Sequence, residues 1–171
     1  MASIKAIKQR IRSAQNTAKI TRAMEVVSAT KMRRAQQYAL SARPYAVASL
    51  ELLRNVLGRT ASAEGVPMHP LFSKRPIRLR ALLVVTADKG LAGAININVL
   101  KRADAWIAAH NGETPYTLVT VGKKAKEYFE RRNAPISRSF FDFGDYSAQA
   151  ETGLVDETIL TGFMDGSWDA V

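Results

Sequence analysis

The sequence predicts an α/β protein: a long N-terminal helix of coiled-coil type, followed by a parallel-sheet domain that is incomplete at its C-terminal end. Three observations carry this prediction. Residues 4–57 contain no glycine and a single proline. Apolar residues recur there every three or four positions. Beyond residue 76, short apolar runs alternate with stretches of helical spacing, the pattern of strands joined by crossover helices. The boundaries drawn from these changes of texture are 1–58 for the helix, 59–76 for a linker and 77–171 for the α/β domain.

The first element opens at Ser3, a good N-cap residue, and Leu57-Gly58 supplies a C-terminal stop. Pro44 lacks the N–H that would bond the carbonyl of Leu40, so a kink or supported bend is expected there. At about 1.5 Å per residue the helix is a rod of roughly 80 Å, which needs a packing partner. Its seam reads Ile4, Ile7, Ile11, Ala14, Ala18 and Thr21, is interrupted by Glu25 and Ser28, and resumes with Met32, Ala35, Ala39, Ala42 and Ala46. That 3.5-residue repeat, rich in small side chains, suits a close second helix. A second row, Ile20, Met24 and Val27, occupies a neighbouring face. Packing explains both rows without any ligand. The later helices are too short to cover the seam, so Ile4, Ile7, Ile11 and Met32 are expected to be unprotected by their own chain.

After the polar stretch GRTASAEGVPMHP, strands are expected at 77–86, 116–121 and 136–141, with helices at 95–109, 123–132 and 149–163. Residues 168–171 read as the start of a fourth strand.

Composition narrows the chemistry. The 171 residues, 47% apolar, suffice for one domain with an appendage, and the absence of cysteine excludes disulfides, zinc–thiolate sites and a cysteine nucleophile. No run approaches the roughly 20 apolar residues of a membrane span, and MASIKAIKQR lacks the apolar core of a signal peptide. A cytoplasmic protein is expected. Residues 1–59 hold twelve basic and two acidic residues, whereas residues 60–171 hold thirteen of each. The whole net charge of +10 therefore sits on the N-terminal segment. Charge of one sign on one element points to an acidic partner surface, nucleic acid or anionic lipid, since merely solvated faces usually mix signs.

The stretch LLVVTADKGLAGAIN, residues 82–96, has the strand–turn–helix layout of a phosphate-binding loop. Its glycines, however, are spaced Gly90-x-x-Gly93, without a third glycine and without the Lys-Ser or Lys-Thr of a P-loop. The second strand ends in Gly122-Lys123-Lys124 where a dinucleotide site wants an acid. The expectation is a tight structural turn that needs glycine at Gly90, no cofactor, and Asp88-Lys89 capping the next helix. His69 and His110 are isolated, with no metal-ligand spacing, and no catalytic constellation is present.

Ile4-Lys5-x-Ile7-Lys8-x-Arg10-Ile11, followed by Lys19-Ile20-Thr21-x-Ala23-Met24-x-x-Val27-x-Ala29-x-Lys31, strongly resembles the N-terminal helix of the gamma subunit of F-type ATP synthases. Arg43-Pro44-Tyr45, His69-Pro70 and Asp88-Lys89-Gly90-Leu91-x-Gly93-x-x-Asn96 extend the resemblance in order, over nearly the whole chain. Ala92 departs from it, standing where that family often has cysteine. The sequence also stops before the family's second long helix, as an N-terminal fragment would.

The resemblance implies a non-catalytic rotor subunit without cofactor or metal. Its helix pair would turn inside a ring of alpha and beta subunits, and its Rossmann-like domain would meet epsilon and the membrane c-ring. It would lie peripherally, on the cytoplasmic face of a bacterial inner membrane, held there only through the complex. The positions implied to meet the acidic loop of beta are Lys19, Arg22, Met24, Lys31, Arg33 and Arg34. Two other classes compete on the residues alone. A basic-helix nucleic-acid-binding module would explain the charge, but the helix lacks Asn and Gln clustered with Arg on one groove-facing stripe. A nucleotide-dependent enzyme is disfavoured by the loop's defective spacing.

Overall fold

The computed structural model describes residues 3–60, 69–72, 75–110, 112–144 and 149–171. The chain divides into two compact units, residues 1–66 and 67–171.

The first unit is a single helix, α1 (Ile4–Thr60), with Pro44 inside it. The carbonyl of Ser3 accepts from the amides of Ala6 and Ile7 at 2.8 and 3.2 Å, so the helix begins where the N-cap was expected. It ends two residues later than expected. A glycine at 58 costs about 1 kcal/mol relative to alanine, which slows a helix without stopping it. Among its described side chains only Ser49 is even half-buried. Ile4, Ile7, Ile11 and Met32 are 77%, 49%, 52% and 59% exposed, as expected for these four side chains.

The second unit is built around a three-stranded parallel sheet of β1 (Arg80–Val85), β2 (Tyr116–Val121) and β3 (Ile136–Phe140), in the order β1-β2-β3. The helices α2 (Ile95–His110), α3 (Lys123–Glu130) and α4 (Gln149–Met164) follow the strands in turn. Register runs from Arg80 opposite Tyr116 to Val85 opposite Val121, and a bulge between Leu118 and Val119 shifts the pairing with β3. The expected first strand began at residue 77. Ladder pairing starts only at Arg80, because residues 78 and 79 give their amides to the carboxylate of Asp169 instead.

Alternation along the strands divides the core in two. Val84 and Leu118 face α2 and α3, where they meet Leu100, Ala103, Ala125 and Phe129. Ala81 and Val119 point to the other face, where Trp168 and Phe163 cover them. Right-handed crossovers require this arrangement. The chain advances from β1 to β3 with its helices on one face, then returns past β1 with α4 on the other. Ala170 completes the return by pairing in parallel with Arg80 on the free side of β1. The fourth strand expected at 168–171 is thus present as a single bridge. Phe129 and Leu118 are fully buried, and burial of each is worth about 1.5–3 kcal/mol.

Candidate functional site

The turn after β1 was the first candidate, and its hydrogen bonds show what occupies it. An anion held by such a turn needs free backbone N–H groups at a helix N-terminus. The turn's own residues accept the amides at the start of α3. The Lys123 amide donates to Oδ1 of Asp88 at 2.8 Å. The Lys124 amide donates to the carbonyl of Ala87 at 3.3 Å. The Ala125 amide donates to the hydroxyl of Thr86 at 2.8 Å. Asp88 therefore does cap a helix, but it caps α3 and not the helix that follows it in sequence. On the side of α2, Oδ1 of Asn96 accepts from the Ala87 amide at 3.0 Å and pins the turn from its other end.

The glycine requirement also moves. Gly90 does not have a positive φ, and a Cβ there would meet nothing within 4 Å, so the expected need for glycine at 90 is not found. The left-handed positions in this turn are Leu91, at φ 60°, and Gly93, at φ 59°. The close approach occurs at Gly122, at φ 94°, where a Cβ would sit 2.1 Å from the carbonyl oxygen of Thr86. Gly122 is glycine because β1's exit passes directly over it.

Elsewhere the α/β unit offers structural chemistry. Asp169 has a side chain only 2% exposed. Its Oδ2 accepts from the amides of Arg78 and Leu79 at 2.8 and 3.2 Å, and its Oδ1 lies 3.1 Å from Nε of Arg75. The Arg78 amide, foremost, holds the carboxyl below its ordinary pKa; burial opposes this, and the Leu79 amide and the two guanidinium groups reinforce it. Arg75 also donates to the carbonyls of Phe163 and Trp168 at 2.7 and 2.6 Å, and its guanidinium stacks on the Phe163 ring. Sequence reasoning missed this knot. Its only local signal was an aspartate opening an apolar strand.

Between α2 and α3, Tyr128 donates to the carboxylate of Asp104, while Arg132 lies over its ring. His110 stacks on Trp106, and its Nδ1 lies 2.9 Å from the Trp106 carbonyl oxygen. His69 accepts from the Leu71 amide. Both histidines thus have local structural contacts. A cleft of about 570 Å³ lined by Arg138, Phe140, Leu154, Glu157 and Trp168, among others, takes no residue from the turn. Among the described residues no group of three or more His, Asp or Glu could hold a metal ion.

The remaining candidate is α1. All six positions singled out for partner contact, Lys19, Arg22, Met24, Lys31, Arg33 and Arg34, lie on this helix and are exposed. They do not form one patch. At 100° per residue, Lys19, Arg22 and Arg33 project within about 60° of one another, and Met24 and Lys31 project together roughly 160° further round. Arg34 lies between the two groups. Lys5, Lys8 and Arg12 extend the first group towards the N-terminus. That basic ridge is centred roughly 100° round the helix from the first half of the apolar seam, Ile4 to Thr21. The hydroxyls of Thr17, Thr21 and Thr30 turn back to carbonyls four residues earlier, each at 2.9 Å, so the polar surface of this region is dominated by its cations. No helix among the described residues is long and apolar enough to cross a membrane.

Comparison with known proteins identifies the family of the chain. The family model described as ATP synthase matches residues 3–171. The gamma chain of ATP synthase from Microcystis aeruginosa is 41% identical over 172 residues, covering 100% of this chain and 54% of its own length. The gamma chain from Thermosynechococcus vestitus is 40% identical, with the same coverage of both chains. The gamma chain from Pelotomaculum thermopropionicum is 37% identical over 171 residues, covering 100% of this chain and 58% of its own. The chain spans about half the length of the curated relatives it matches. With a family model matched from residue 3 to residue 171 and these relatives aligned along its full length, the chain belongs to the ATP synthase gamma-chain family.

Proposed function

We propose that this chain is the N-terminal part of a central-stalk gamma subunit, the rotor that couples ion flow through the membrane sector to ATP synthesis on the beta subunits. The observation that carries this reading is the division of labour around α1. An apolar seam that includes Ile4, Ile7, Ile11 and Met32 lies exposed, on a helix whose remaining surface carries twelve basic residues against two acidic ones. The seam takes a second helix and leaves the basic ridge outward, towards acidic surfaces on the alpha and beta subunits. Family membership supports the same reading. Epsilon and the c-ring are the partners of the α/β unit. The subunit itself catalyses nothing and holds no cofactor, and it meets the cytoplasmic face of the membrane only through the complex.

The spread of the contact residues suits a rotor better than a static clamp. A shaft held tightly in any one of three equivalent orientations would stall. Charges distributed round the helix meet a surrounding ring in every orientation, and Coulomb attraction changes gradually with distance. Each exposed pair is worth about 0.2–1 kcal/mol, so the summed field governs and no single bridge locks the rotor.

The test reverses Lys19, Arg22 and Lys31 to Glu in a full-length gamma chain assembled with its head. Coupled ATP synthesis should fall several-fold while gamma stays folded and incorporated. Synthesis at the normal rate and yield would rule out electrostatic guidance by these three residues.

A further inference from the structure

Pro44 lies inside α1, with helix on both sides. It has no N–H to offer the carbonyl of Leu40, and its ring crowds that carbonyl. One turn before it, the Ser41 hydroxyl donates to the carbonyl of Tyr38 at 2.8 Å. A hydroxyl returned to the helix in this way competes with the backbone ladder and favours bending. The side chains of residues 38–48 are all exposed, so this stretch is not held in a packed core. A missing ladder bond, a competing hydroxyl and exposure all fall within two turns of one helix.

We propose that Pro44 is a hinge that divides α1 into two segments, residues 4–43 and 45–60, which bend and open independently of each other. Helix stability spreads along the chain because each ladder bond holds the dihedral angles that the next one needs. At Pro44 one link of that sequence is absent. A disturbance in either segment should therefore fade at residue 44. The hinge lets the two segments settle against different surroundings, which a continuous rod could do only by bending along its whole length.

The test follows a disturbance along the helix by residue-resolved amide exchange on the whole chain. Ala48→Gly should raise exchange about fivefold over residues 49–56, the factor conferred by an interior glycine. With Pro44 present, exchange over residues 36–43 should change by less than twofold. In the Pro44→Ala background the same glycine should accelerate residues 36–43 as well, by about fivefold. Alanine is the best helix former, so this background does not threaten the helix itself. A fivefold effect crossing Pro44 in the natural sequence would overturn the hinge. So would a failure of the effect to cross after Pro44→Ala, because the proline would then not be the barrier.

Discussion

Replacing Gly122 with alanine should destabilise the α/β unit severely, while the same change at Gly90 should be almost silent. At Gly122 the new Cβ would lie 2.1 Å from the carbonyl oxygen of Thr86 and 2.6 Å from its carbon, so backbone must move. The residue would also have to hold a φ of 94° that L side chains rarely adopt. The backbone conformation costs about 1–3 kcal/mol, and forcing packed groups apart costs about as much again. Displacing Thr86 and Asp88 would loosen the cap on α3, worth about 1 kcal/mol. The total, on the order of 3–7 kcal/mol, is a large share of the 5–15 kcal/mol by which domains are usually stable. It corresponds to a fall in Tm of roughly 15–35 °C. Gly90 has open space and no positive φ, so alanine there should change stability by less than about 1 kcal/mol in either direction. Urea unfolding followed by fluorescence, with the buried Trp168 as reporter, measures both variants. Equal shifts in the midpoint, or a Gly122→Ala shift within about 0.5 kcal/mol, would refute the close-approach argument.

Two further outcomes follow from the same unit. Because the Asp169 carboxyl is held below its ordinary pKa, its contribution should be complete above about pH 4 and disappear as pH falls through its depressed folded value; urea midpoints between pH 2 and 7 should show this loss in the natural chain but not in Asp169→Asn. The chain should bind neither ATP nor NAD in calorimetry, since the turn lacks the third glycine of a dinucleotide site and the Lys-Ser or Lys-Thr of a P-loop; submillimolar affinity abolished by Gly93→Val would show that the turn holds a nucleotide after all.

What could be read from the sequence follows how far apart the interacting residues lie. Period 3.6 and period 2 are local signals, so the helices and strands were legible, and β2 appears with the expected bounds. The exposed seam was legible for a related reason: a repeat sustained over forty residues shows a helix that lacks its partner. The start of β1 was misplaced because Asp169 captures the amides of Arg78 and Leu79 from ninety residues away. The turn shows the same limit more sharply. Its motif was visible at Asp88 and Gly90, yet the helix it caps begins thirty-five residues later, and the glycine that makes room for it is Gly122.

The proposed contact positions on α1 show the reverse case. Their residue types and order came from the sequence, and helical geometry then distributes them round the shaft as two groups. In the proposed rotor, a single acidic loop held at one bearing would meet Lys19 and Arg22, or Met24 and Lys31, but not both at once. The two groups therefore define a direction round the helix as well as a site. Charge that varies with angle gives a surrounding ring different energies at different orientations, whereas a uniformly basic rod would give the same energy at each. The proposed bias on rotation therefore rests on the uneven circumference that the sequence of α1 encodes.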